Sequence, residues 1–90
     1  MKDILSDAEL TEIESRANRA SRGPWRSYVE GRDHTSGSSF IMTGPEEMRG
    51  QDIELAGASV ADQDFLAGAR QDIPALVNEV RRLRALLRVV

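Results

Sequence analysis

Cysteine is absent from this chain, which excludes a disulfide framework and a thiolate metal site and leaves stability to packing and helix capping. Histidine occurs once, so the paired spacing of a His-based metal centre cannot form; no metal or cofactor is expected. No run of residues approaches the roughly 20 apolar positions of a membrane span. The opening Met1 to Asp7 also lacks the apolar stretch of a secretory signal, so the reading is a soluble, cytoplasmic protein with no membrane partner. Ninety residues supply one modest core, and a single domain over 1–90 is expected.

Charge is present but unevenly placed. Residues 23–74 hold four arginines against nine acids, a balance of −5, whereas 75–90 hold Arg81, Arg82, Arg84 and Arg88 against Glu79 alone, a balance of +3. An acidic body disfavours nucleic-acid binding and favours a protein partner with a basic surface, and no aromatic stacking platform accompanies the arginine-rich tail.

The pattern of elements is α+β. Ser6 followed by Glu9 is a capping box, and Leu5 with Leu10 forms its hydrophobic staple, so a helix is predicted over 7–21. Gly23 and Pro24 stop it. Trp25, Ser27 and Val29 then alternate with Arg26, Tyr28 and Glu30 as in a strand, with Trp25 as a core anchor. A second strand is predicted over 39–43 and a short third over 51–55, where Ile53 and Leu55 alternate with Asp52 and Glu54. Ser59 and Asp62 open a further helix, and Asp72 is read as the cap of a last one with Pro74 in its first turn. The predicted order is an N-terminal helix, a three-stranded antiparallel sheet and two C-terminal helices, α-β-β-β-α-α.

Residues 30–39 gather the densest chemistry: Glu30, Arg32, Asp33, His34, Ser38 and Ser39. A nucleophilic triad needs base, hydroxyl and orienting acid to converge, normally from separated positions, and adjacent Asp33 and His34 tend to point apart. The loop is therefore read as a contact surface for a protein or small ligand, with Tyr28, Asp52 and Glu54 as neighbouring candidates. No catalytic residue is assigned. Gly31, Gly37 and Gly44 do not make a phosphate-cradling pattern, which would need a helix N-terminus behind it. Asp62, Gln63 and Asp64 suit the first turn of a helix, complementing its dipole, with Arg70, Gln71 and Asp72 available to extend a polar patch.

The clearest pattern lies at the end. Ile73, Leu76, Val80, Leu83, Leu87 and Val90 repeat at alternating spacings of three and four, the rhythm of a helix seam. The seam packs on its own domain or pairs with a second copy; a homodimer is expected, its helix orientation left open, and a parallel arrangement would let Glu79 meet Arg84 of the partner.

Arg22-Gly23-Pro24-Trp25 after a short acidic helix, the run Ala61 to Ala67, and Ala69-Arg70-Gln71-Asp72-Ile73-Pro74-Ala75-Leu76 resemble a group of small phage and prophage proteins. That resemblance implies an accessory role: a small binder that blocks, protects or sequesters, as immunity and counter-defence proteins do. The expectation is a non-enzymatic acidic protein that neutralises a toxin or host defence protein. The alternatives are a ligand- or nucleotide-sequestering module built on Arg32, His34, Ser38 and Ser39, and a minor hydrolase using Glu30, Asp33 and His34.

Overall fold

The computed structural model describes residues 4–89. Helix α1 spans Asp7–Arg19, strands β1 and β2 span Trp25–Tyr28 and Phe40–Thr43, a 3-10 turn covers Glu46–Met48, and helix α2 runs from Val60 to Val89. The chain divides into two compact units: residues up to Ala20 together with those from Asp72 onward, and Ser21–Gln71.

In the first unit, α1 begins where its cap dictates. The Glu9 backbone N–H donates to Ser6 Oγ at 3.0 Å, and the Ser6 N–H donates to Glu9 Oε1 at 2.9 Å. Reciprocal capping of this kind satisfies two orphan donors and stabilises a helix end by about 1 kcal/mol. The helix stops at Arg19, two residues short of the predicted end, because Ala20 is already extended. Leu10 and Val77 are the buried apolar residues here, and Ile13, Ile73 and Val80 line the same contact. Arg81 donates to Glu14, while Arg84 and Arg88 both donate to Asp7. Asp7 is therefore held below the usual carboxylate range, chiefly by its hydrogen bond from Arg84.

The second unit is built on a hairpin. β1 and β2 pair antiparallel with Trp25 opposite Thr43 and Tyr28 opposite Phe40. Ile41 is 1 % exposed and Thr43 fully buried, the two alternate residues that share one face of β2. Past Thr43 the chain turns sharply through Gly44 (φ +83°), where a Cβ would lie 2.8 Å from the Met48 carbonyl oxygen, so only glycine fits. Two glutamines of α2 hold the hairpin, Gln71 on the outer edge of β1 and Gln63 across the Tyr28–Phe40 end of both strands. Gln71 accepts from the Trp25 N–H at 2.7 Å and donates to the Trp25 carbonyl at 3.1 Å. Gln63, 5 % exposed, donates to Ser27 Oγ and to the carbonyls of Tyr28 and Phe40. A side-chain amide has a donor and an acceptor, so Gln71 substitutes for a neighbouring strand at Trp25.

The architecture corrects the predicted order in two places: there are two strands and two helices, not three of each. The third strand shrinks to one bridge, in which Ile41 and Ile53 exchange both backbone hydrogen bonds at 2.8 and 2.9 Å. It extends no further because Gly50 and Gln51 are bound to Thr43 in a tight turn, through Gly50 N–H to the Thr43 carbonyl and Thr43 Oγ1 to the Gln51 carbonyl. The two C-terminal helices are one. Pro74 removes a single hydrogen bond from the body of α2. Burial of Ala67 before it and Val77 after it, with Gln71 clamped to Trp25, outweighs that loss and leaves Asp72 inside the helix. The true cap is upstream, where Ser59 Oγ accepts from the Asp62 N–H and Asp62 Oδ2 accepts from the Ser59 N–H. Among the described residues no helix is long and apolar enough to cross a membrane.

Candidate functional site

The loop from Val29 to Ser39 is wired to itself. Asp33 Oδ2 accepts from the Val29 N–H at 2.8 Å, and the Asp33 and Arg32 N–H groups donate back to the Val29 carbonyl. Gly31, at φ +84°, permits this tight reversal and donates to the His34 carbonyl. The Glu30 N–H donates to Ser39 Oγ, and Glu30 Oε2 accepts from the Gly37 N–H. Of the hydroxyl candidates, Ser38 alone is exposed with no polar partner among the described residues.

Arg32 is the hub. Its guanidinium donates to Asp33 Oδ2 and grips both carboxylate oxygens of Asp64, on the first turns of α2, at 2.8 and 3.0 Å. The bidentate bond from Arg32, with a second hydrogen bond from the Ser27 hydroxyl, holds the Asp64 carboxyl down to about 2. Asp33 is lowered by Arg32 first and by the Val29 N–H second. Both groups are depressed, so what they lend to the fold is present above their ordinary value of 3.8 and is lost as pH falls through the folded-state values. In an Arg32→Gln variant the Asp64 midpoint, followed by carboxyl-carbon NMR, should climb from about 2 toward 3.8. The dip in thermal stability between pH 4 and pH 2 should flatten with it. An unmoved Asp64 midpoint would show that the fork does not form in solution.

His34 sits among aromatic rings, 5.3 Å from Phe40 and 6.4 Å from Tyr28, which stack on each other across the hairpin at 5.5 Å. Its Nδ1 accepts from the Ser36 N–H at 3.1 Å and lies 2.6 Å from Ser36 Oγ. Glu30 Oε2 approaches that same nitrogen at 3.5 Å. A relay needs the hydroxyl on one ring nitrogen and the carboxylate on the other. Here both crowd Nδ1, while Nε2 is buried without a hydrogen-bond partner. Asp33, the third member of the hydrolase alternative, is taken up by Arg32 and Val29. The ring instead fills the space inside the loop as an aromatic would.

The remaining candidates disperse. Asp52 pairs with Arg49, 2.7 Å away, whose guanidinium carbon lies 5.9 Å from the centre of the Phe40 ring. Glu54 is exposed, with no ion pair or hydrogen bond among the described residues, and Glu47 is in the same condition. Among the described residues no three His, Asp or Glu side chains gather as metal ligands do. A shallow groove of about 360 Å³ lies elsewhere in this unit, between Leu55, Ala58 and the exposed Phe65 and Leu66, and none of the binding candidates lines it.

In the first unit the seam residues occupy one continuous stretch of α2. Ile73 and Val80 lie partly against α1, Leu76, Leu83 and Leu87 are exposed, and Val90 falls outside the described residues. Gln63, Asp64 and Gln71, read in the sequence as a helix first turn and part of a polar patch, instead hold strand backbone and the Arg32 charge in place, and Ser36, which the sequence did not single out, binds His34. Polar side chains used in this way carry no periodicity that marks them. Compared with protein-family models, curated proteins and solved structures, the chain matches none.

Proposed function

We propose that the protein is a small, acidic, non-enzymatic binding protein that covers a basic surface on a protein partner, as an accessory factor of a phage or prophage covers a toxin or host defence protein. The observation that carries this reading is how the loop spends its chemistry. Arg32, Asp33, Glu30 and His34 are committed to one another and to nearby backbone, while Glu47 and Glu54 stay exposed and unpaired among the described residues. A loop whose own charges are satisfied, with unpaired carboxylates elsewhere in the same unit, favours recognition by charge and shape over chemistry. The ligand-sequestering alternative would have to take Arg32 away from both Asp33 and Asp64 before it met an anion.

Tagged protein incubated with lysate of a phage-bearing host, at low and at physiological salt, tests the proposal. A recovered protein partner should associate more slowly as salt rises, and about tenfold more weakly with Glu47→Gln/Glu54→Gln. Recovery of no protein at either salt, or a metabolite retained by the purified chain in native mass spectrometry, would overturn it.

A further inference from the structure

Helix α2 offers α1 only one of its two apolar sides. Val77 is 3 % exposed against α1, yet Leu76, Leu83, Leu86 and Leu87 remain 59, 47, 53 and 76 % exposed. Leu76, Leu83 and Leu87, with Val80 between them, are spaced to form one stripe on the helix surface. Together with Ile73 and Leu86 the bare surface is on the order of 500 Å², at the upper end of what monomers carry. It is also more than half of the roughly 800 Å² that each partner contributes to a stable dimer.

We infer that this stripe is covered by a second copy of the chain, and that the two α2 helices run antiparallel. The charges along the stretch set the direction. Asp72 lies at its beginning without an ion pair among the described residues, Glu79 and Arg82 pair with each other in its middle, and Arg84 and Arg88 toward its end share the single Asp7 carboxylate, which leaves that end with net positive charge. Antiparallel pairing brings each acidic end to the other copy's basic end, whereas parallel pairing stacks like on like. Arg84 is bound to Asp7 and to the Leu5 carbonyl, so a Glu79–Arg84 pair between copies does not set the direction. Glu79 for its part is engaged by Arg82, which lowers its pKa. Asp72 has no ion pair among the described residues and so is open to an arginine of the second copy. The two-fold axis passes between Val80 and Leu83, so that Val80 of one copy meets Leu83 of the other and Leu76 meets Leu87. An isologous contact of this kind closes on itself and hides the stripe completely.

The absence of native cysteine makes the arrangement directly testable. Sedimentation equilibrium at about 50 µM, a concentration suited to micromolar affinities, should give twice the chain mass. Leu83→Glu should return it to the monomer mass with an unchanged circular dichroism spectrum, since that side chain is half exposed. Mixed Leu76→Cys and Leu87→Cys proteins should oxidise to the heterodisulfide, with Leu76→Cys alone failing to crosslink. A monomer, or an assembly larger than two, in the unsubstituted protein would overturn the inference. Efficient crosslinking of Leu76→Cys to itself would do the same by showing parallel helices. A partner bound through Glu47 and Glu54 is measured independently, so either proposal can fail alone.

Discussion

Gln63→Glu will convert a pH-insensitive joint into one that opens as pH rises. In the native chain the buried Gln63 amide donates at 2.9 Å to Ser27 Oγ and at 3.2 Å to each of the Tyr28 and Phe40 carbonyls. A carboxylate has no hydrogen to give, so both carbonyls lose their donor and face a negative charge at short range. A buried acceptor left unsatisfied costs about 1–3 kcal/mol, and an unpaired buried charge costs more. We expect a loss of about 4 kcal/mol at pH 7. The protonated acid keeps one donor, so the folded-state pKa of the new glutamate rises above its unfolded value near 4.3. Stability is then retained below that value and lost as pH climbs through the raised one. Urea midpoints at pH 4 and pH 7 measure it: the variant should approach the parent at the lower pH and fall far below it at the higher. Equal midpoints at pH 7 would mean that the amide does not hold the strands.

Ile41→Ala should cost about 3–4 kcal/mol, in the range for truncating a buried branched side chain. Ile41 is the central buried residue of β2, and its backbone makes both hydrogen bonds to Ile53. Within its own unit only Val29 and Ala67 are the other buried apolar side chains among the described residues. With so small a core, little can relax into the cavity, and total stability for a chain of this size is about 5–10 kcal/mol. Chemical denaturation followed by tryptophan fluorescence should show the loss, with Ile41→Val costing about 1 kcal/mol. A cost for Ile41→Ala no larger than that of the valine variant would place the core elsewhere.

Much of this fold is legible in the sequence wherever a local rule decides the outcome. The Ser6–Glu9 and Ser59–Asp62 caps both form as their spacing dictates, and the alternation from Trp25 together with the apolar run at Phe40–Thr43 marks the hairpin. The misread elements are those settled by tertiary contacts. Asp72 followed by Pro74 has the look of a helix start, yet anchorage of Gln71 on Trp25 carries α2 straight through. The 51–55 segment alternates as a strand should, but Thr43 fixes its first residues in a turn and leaves one bridge. The candidate loop was visible as a concentration of polar groups, whereas its wiring was not. Arg32 finds Asp64 thirty-two positions away, and that distance has no signature in composition or periodicity.

The two glutamines also act as a gauge. Eight helical residues from Gln63 to Gln71 advance about 12 Å, and three strand residues from Tyr28 back to Trp25 advance about 10 Å, so the amides are spaced to match main-chain groups of β1 at both points. Because they grip peptide groups at Tyr28 and Trp25, substitutions at the outward-facing Arg26 leave the fastening intact. Inserting or deleting one helical residue between them would throw one amide about 100° around the axis, unlatching half of the joint at a stroke.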